Sequence, residues 1–336
     1  MMKNSSIFPE LNLDEEKLII ITGAAGFIGS CVARYLNDAG YTNLVLVDNL
    51  GQGTKWKNIA GKQFKEFLMI DELLPWLEGR EEDIQAFIHL GANSSTTESD
   101  VDALFMNNYR YSVALAEYAL DHEIRFIYAS SAATYGDGSL GFCDDLLEEL
   151  RPMNPYGFSK QLFDLWAHEN GVLSQLTALK YFNIYGPNEN EKGNMASMVY
   201  KMVPLLQKKG VLELFKPLRE GVAMRRDFLY VKDAAAMTCR FLSEDGGGIY
   251  NIGSGIATSW EEMGAAVCSA LNIPLKIKYI SMPEEIAAAY QSYTRADMSK
   301  YRSHFTIGGA APITDYSLQG AVDDYVKNCL VRGARW

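Results

Sequence analysis

This chain of 336 residues is poor in the residues that build metal sites and disulfide frameworks. Its five cysteines (Cys31, Cys143, Cys239, Cys268 and Cys329) and four histidines (His89, His122, His168 and His304) are widely spaced. An odd cysteine count with no C-x-x-C pair argues against a disulfide framework and fits a reducing compartment. The scattered histidines form no ligand constellation, so no metal is expected. Basic residues are also in the minority: 31 lysines and arginines face 42 acidic residues, for a net charge of −11, and no basic tail or stripe occurs. Non-specific binding to nucleic acid is therefore not expected. No apolar run approaches a membrane span. The first sixteen residues, "MMKNSSIFPELNLDEE", lack the apolar core of a signal peptide. The expectation is a soluble, cytoplasmic protein without membrane partners.

What is present is an ordinary globular composition, 48% hydrophobic and 22% charged, on a chain long enough to bury a core without cross-links. From Lys17 the pattern alternates strands and helices. The apolar runs "LIIIT" (18–22), "NLVLVDN" (43–49), "AFIHLGA" (86–92), "IRFIYASS" (124–131) and "QLTALKYFN" (175–183) have strand length. Helical periodicity follows the first of them and stops at Gly40, and a longer helical pattern covers 101–122. This rhythm predicts a parallel sheet covered on both faces. After Gly186 and Pro187 it breaks into a polar loop, a helix ending at Gly210, a strand and helix over "RRDFLYVKDAAAMTCRFL", and a strand in "GGGIYNIGSG". The last third is read as a smaller lobe over the carboxyl edge of the sheet.

"TGAAGFIG" (22–29) joins the first strand to the first helix. A strand turning sharply into a helix needs residues without side-chain bulk. The helix N-terminus then offers unpaired N–H groups and a positive dipole end to a phosphate. Gly23, Gly26 and Gly29 suit the tight turn, the close approach of a pyrophosphate and the packing of helix on sheet. Asp48 closes the second strand and can accept hydrogen bonds from ribose hydroxyls, as NAD requires. Lys55, with Lys57 beyond it, can instead pair with the 2′-phosphate of NADP. The residues alone leave both cofactors open.

"NPYGFSK" places Tyr156 and Lys160 one helical turn apart, the only Tyr-x-x-x-Lys spacing in the chain. An ammonium near the phenol favours its ionised form, which predicts a tyrosine pKa lowered toward neutrality and a usable general acid/base. Ser131 ends the preceding strand at the ligand-binding edge of the sheet, where its hydroxyl can meet a substrate hydroxyl or carbonyl. Each feature also has a plain structural explanation: a packing turn for the glycines, a backbone cap for Ser131, a chance spacing for the pair. Their joint placement favours chemistry.

With "TGAAGFIG", "YASSAATYG" and "YGFSK" together, the sequence resembles the extended short-chain dehydrogenases/reductases from Lys17 onward. "GANSSTTESD" (91–100), "KYFNIYGPNENEKGNMAS" (180–197) and "RRDFLYVKD" (225–233) are more specifically similar to the ADP-L-glycero-D-manno-heptose 6-epimerase family. The resemblance implies a Rossmann-type doubly wound parallel α/β sheet with a smaller α/β substrate-binding lobe. It divides the chain into a dinucleotide-binding part (17–182 with 226–253), the lobe (183–225 with 254–305) and an N-terminal extension (1–16). It implies oxidation and re-reduction at C6 of an ADP-heptose nucleotide sugar with tightly bound NADP, for the lipopolysaccharide inner core, in a homo-oligomer that relatives form as a pentamer. The reading from other classes is a further nucleotide-sugar epimerase or reductase, or a cofactor-sensing scaffold that has kept Tyr156 and Lys160. A sugar 4,6-dehydratase is disfavoured, because Ala132 and Ala133 follow Ser131 in place of an acid pair.

Residue by residue, the resemblance implies that Tyr156 and Lys192 are the two proton donors/acceptors, with Ser131 and Lys160 assisting. Lys192 carries no signal from spacing and reads as a solvated loop lysine without the family. Phe27, Ile28, Asp48, Asn49, Lys55, Leu90, Gly91, Ala92, Asn93, Ser94, Asn107, Lys160, Ile184 and Lys192 would contact the cofactor. Ser94, Ser131, Asn183, Asn194, Lys201, Phe215 (in a loop running to Leu218), Arg226 and Tyr290 would contact substrate. The chain departs from the family pattern in having Gly51 where a lysine is common, Leu90 for glutamate, Asn93 for cysteine and Asn194 for serine.

Overall fold

The structure is a computed structural model that describes residues 8–336 apart from 97, 218–222, 245, 284–290 and 310. At its centre lies β1 (Leu18–Thr22), where three isoleucines in a row are nearly inaccessible to solvent. Side chains alternate along a strand. Ile19 and Ile21 therefore pack against α1 (Phe27–Asp38) on one face, while Leu18 and Ile20 enter a second core on the other. A strand buried on both faces belongs to a parallel sheet covered by helices.

Six more strands complete that sheet: β2 (Leu44–Val47), β3 (Glu66–Leu68), β4 (Ile84–His89), β5 (Arg125–Ser131), β6 (Leu176–Tyr181) and β10 (Gly248–Ile252), in the order β10-β6-β5-β4-β1-β2-β3. All six pairings are parallel. The order reverses between β1 and β4. At such a switch point the following loops diverge and open a crevice at the carboxyl ends of the strands.

The smaller lobe has its own frame. β7 (Asn183–Tyr185), β9 (Arg225–Tyr230) and β11 (Ala257–Ser259) form a three-stranded sheet in the order β11-β9-β7, and β8 (Leu212–Phe215) pairs with β12 (Ile277–Ile280). Two further long helices, Met198–Lys209 and Trp260–Leu271, supply the lobe's core through Val199, Met202, Leu206, Met263 and Val267. Ser259 and Glu262 close a reciprocal capping box on the second of these, and Gly210 ends the first in the left-handed region.

Two elements differ from the sequence expectation. The apolar run 175–183 is not one strand: β6 stops at Tyr181, and Asn183 starts β7, which leaves the main sheet to pair with β9. The strand in "RRDFLYV" joins that same small sheet. The helical pattern over 101–122 is interrupted by a π-helical turn at Phe105–Arg110, between Val101–Leu104 and Tyr111–Asp121. An extra residue per turn of this kind rotates the side chains that follow and is common at functional sites.

Candidate active site

A cleft of about 600 Å³ opens at the switch point. Its floor is the glycine loop. Gly23 has φ +67°, and a Cβ there would sit 2.7 Å from the backbone nitrogen of Gly91, while a Cβ on Gly29 would run into the Gly23 carbonyl oxygen. Gly26 caps α1 without any side-chain partner for the first-turn N–H groups. This cradle fits a pyrophosphate: backbone lies bare, and a helix N-terminus points at it. Below the loop, Thr22 Oγ1 and His89 Nδ1 lie 2.7 Å apart, and His89 Nε2 lies 2.8 Å from Ser112 Oγ. Burial pushes the His89 pKa down to about 3, so its ring is a neutral bridge between strands and helix.

At one end of the cleft, Asp48 accepts hydrogen bonds from the backbone nitrogens of Ala25 (2.9 Å) and Asn49 (2.8 Å), which fixes the loop to β2. Lys55 places its ammonium on the same carboxylate and donates to the Asn49 carbonyl at 3.1 Å. Asp48 and Lys55, which the sequence left as competing signals for two cofactors, are thus one ion pair.

The middle of the cleft holds the expected acid/base group. Tyr156 and Lys160 lie in the helix Pro155–Glu169, which starts with Pro155 at its first position and Asn154 Oδ1 accepting from the Gly157 nitrogen at 2.8 Å. A Cβ at Gly157 would lie 2.8 Å from the Ala133 carbonyl oxygen. That close approach seats the helix on the turn after β5 and lets Tyr156 share a hydrogen bond with Ser131, whose Oγ also accepts from the Ala133 nitrogen at 3.1 Å. The expectation of a lowered tyrosine pKa is not met. Burial raises the Tyr156 pKa and outweighs the Ser131 hydrogen bond that opposes it. Burial instead lowers Lys160 to about 8, against the pull of Asp164.

Asp164 carries no signal in the sequence reading, although it lies one turn beyond Lys160 on the same helix. It is fully buried, accepts from Ser130 Oγ at 2.6 Å and from the Tyr128 hydroxyl at 3.0 Å, and lies 3.9 Å from the buried Lys180 ammonium. Asn108 was also missed. The π-helical turn buries it beneath the loop after β4, where its Oδ1 accepts from the Asn93 nitrogen (2.8 Å) and its Nδ2 donates to the Asn93 carbonyl (2.9 Å) and to Ser159 Oγ (3.0 Å). Asn107, its neighbour, faces the cleft.

Lys192 reaches the cleft from the loop after β7. Its ammonium lies 3.4 Å from Ser94 Oγ and 5.9 Å from the centre of the Phe27 ring. Burial lowers its pKa and Glu189 opposes the shift. Glu189, another residue without a sequence signal, is buried and anchors the loop by accepting from Ser197 Oγ (2.7 Å), the Tyr325 hydroxyl (2.9 Å) and the Gly186 nitrogen (3.2 Å).

All of the expected cofactor-side residues and Ser131, Tyr156 and Asn183 line this cleft. Met195, Met198, Phe228 and Trp260 line it as well, without having been anticipated. Asn194, Lys201, Phe215 and Arg226 are not among the lining residues. Lys201 donates to the Asn194 carbonyl at 2.7 Å, and Arg226 is almost wholly buried on β9. Tyr290 and Leu218 lie outside the described residues. Among the described residues there is no cluster suited to a metal ion and no helix long and apolar enough to cross a membrane.

The model of the NAD dependent epimerase/dehydratase family matches residues 19–253. The chain belongs to that family. Two curated relatives, both named ADP-L-glycero-D-manno-heptose-6-epimerase, come from Nitratidesulfovibrio vulgaris (42% identical, covering 93% of this chain and 98% of the relative) and Fusobacterium nucleatum (40%, covering 94% and 98%). The crystal structure of the Helicobacter pylori enzyme of that name superposes with a TM-score of 0.77 at 25% identity, over 95% of this chain and 98% of that one. A UDP-glucose 4-epimerase from Thermotoga maritima shares the fold, with a TM-score of 0.77 at 22% identity over 94% and 100% of the two chains. The epimerase/dehydratase family depends on a nicotinamide dinucleotide, and the glycine loop, Tyr156 and Lys160 line one cleft.

Proposed function

We propose that this protein interconverts ADP-D-glycero-β-D-manno-heptose and ADP-L-glycero-β-D-manno-heptose by transient oxidation and reduction at C6, as a precursor step for the lipopolysaccharide inner core. The observation that carries this is that two titratable side chains from different elements line one cleft: Tyr156 beside Ser131, and Lys192 beside Ser94, which the proposal makes the two proton donors/acceptors. Inverting a secondary alcohol through a carbonyl needs a proton removed in one orientation and returned in the other, and a single group cannot face both. A nicotinamide dinucleotide bound on the glycine cradle supplies a hydride acceptor and then a hydride donor. Tyr156, oriented by Ser131, and Lys192, oriented by Ser94, handle the hydroxyl proton. Lys160, which lines the same cleft, would hold the nicotinamide ribose. Burial lowers both lysine pKa values, which brings amine proton transfer nearer to neutral pH.

NADP is the preferred cofactor in this reading. Lys55 sits on Asp48 and offsets a carboxylate that would otherwise repel a 2′-phosphate. The lobe, 183–225 with 254–305 and the whole of β9, binds the sugar nucleotide, and 17–182 with the remainder of 226–253 binds the dinucleotide. Asn194, Lys201, Phe215, Arg226 and Tyr290 are its proposed substrate contacts. The working form is a homo-oligomer, a pentamer by resemblance, in the cytoplasm.

The test is incubation with ADP-D-glycero-β-D-manno-heptose in deuterium oxide, with analysis of the nucleotide released on denaturation. The expected result is the C6 epimer without deuterium at C6, and NADP in the supernatant. Deuterium at C6 would replace this mechanism with direct deprotonation, and a chain inert to this sugar would remove the substrate assignment.

A further inference from the structure

We propose that Arg335 is a positioning residue that latches two loops across the cleft and so retains the dinucleotide between turnovers. This rests on reading the cleft as a cofactor site. The two loops come from parts of the chain more than 100 residues apart. Lys55 and Lys192 both line the cleft, and each has a partner of the latch as its immediate neighbour in the chain: Thr54 and Glu191. Thr54 Oγ1 donates to Glu191 Oε1, closing the loops on one another. Arg335 then braces the joint. Its Nη2 donates to Thr54 Oγ1 at 2.8 Å and to Glu191 Oε1 at 3.4 Å, and its Nη1 donates to Asn58 Oδ1.

Asn58 extends the latch to the floor of the site. Its Nδ2 donates to the Ala25 carbonyl inside the glycine loop at 2.9 Å and to the Asn188 carbonyl at 3.2 Å. The guanidinium is itself held in place, because the next residue exchanges two hydrogen bonds with Asn188: the Trp336 nitrogen donates to Asn188 Oδ1 at 2.9 Å, and Asn188 Nδ2 donates to the Trp336 carbonyl at 2.8 Å. One planar fork thus ties the Lys55 loop, the Lys192 loop and, through Asn58, the phosphate cradle.

Arginine suits this role because its fixed fork spans several acceptors at once, whereas lysine offers a point charge. Glu191 is 34% exposed, so its ion pair alone would be weak and readily broken. Shared among three segments, the same contacts must all break before either loop opens. An enzyme that returns hydride to its own substrate gains from this, since its cofactor ends each turnover in the form in which it began.

Release of bound NADPH, followed by its fluorescence after addition of excess NADP, reads the latch without any sugar substrate. Arg335→Ala and Glu191→Gln should each speed release by roughly tenfold, with Arg335→Lys in between, since changes in affinity among variants of one site fall mostly on the dissociation rate. The unfolding midpoint of the cofactor-free protein should stay unchanged in Glu191→Gln, whereas Arg335→Ala leaves the buried Asn58 Oδ1 without its donor and lowers the midpoint. If Arg335→Ala does not fold, Glu191→Gln and Thr54→Val carry the test. Release within twofold of the parent in the folded variants would overturn the latch. A parent chain that takes up neither NADPH nor NADH would overturn the cofactor reading itself.

Discussion

Tyr156 shows how little of a titratable group's character its own spacing decides. The Tyr-x-x-x-Lys pair predicts a phenol activated by an ammonium. In the folded chain burial dominates the phenol and raises its pKa, and Ser131 supplies the opposing hydrogen bond. Proton transfer at Tyr156 therefore depends on Ser131 and on whatever charge enters the cleft with the ligands. Tyr156→Phe and Lys192→Met should each lower epimerisation by about a hundredfold or more, the usual loss for one general acid/base. Both should still retain cofactor, measured as nucleotide released on denaturation. Turnover of Lys192→Met at the parent rate would return that lysine to the solvated-loop role its spacing alone suggests.

Among the elements, the helix over residues 101–121 is the one whose irregularity matters. A regular helix would satisfy its apolar pattern, yet the π-helical turn is what buries Asn108 and leaves Asn107 facing the cleft. The Asn108 amide holds both backbone groups of Asn93 and also reaches Ser159, whose hydroxyl donates to the Tyr156 carbonyl at 2.7 Å. One side chain couples the loop after β4 to the helix that carries Tyr156. Asn108→Ala would leave the half-buried N–H and C=O of Asn93 without this partner and detach the loop from Ser159, at a cost of about 1–3 kcal/mol. Urea unfolding should show that loss, and the same variant should bind cofactor more weakly than the parent. Parent-like values in both measurements would show that the helix and loop do not need this bridge.

At the scale of the whole molecule, buried carboxyls make stability depend on pH. Burial raises Asp233, at the start of the helix after β9, from the ordinary 3.8 to about 7, although it accepts a 2.7 Å hydrogen bond from the Asp315 nitrogen. Between these two values the folded chain holds a proton that the unfolded chain has released, so this group's contribution to stability falls as pH rises from about 4 to 7. Asp233→Asn keeps the acceptor and removes the titration. It should flatten that part of the profile and gain roughly 1–3 kcal/mol at pH 8, read from urea midpoints at pH 5 and pH 8. An unchanged slope in the variant would assign the dependence to other buried carboxyls, such as Asp164 or Glu189.

The sequence by itself determined the sheet and its ligand edge. Consecutive β-branched Ile19, Ile20 and Ile21 in a short run that ends at Gly23 suit a strand covered on both faces, and three glycines at the strand-to-helix turn leave room for a phosphate. Those signals are local, because they arise from backbone freedom and from the period of apolar residues. Tertiary structure decided what depends on approach between distant segments. It split the run after Gln175 into two sheets, made one ion pair of Asp48 and Lys55, and carried Lys192 to Ser94 across the cleft. It also gave Asp164, Asn108 and Glu189 their buried partners, and it left Asn194, Lys201, Phe215 and Arg226 off the lining of the cleft. No pattern within a helix or loop encodes such contacts. Their energies come from desolvation and from hydrogen bonds between segments, and these exist only once the chain has closed on itself.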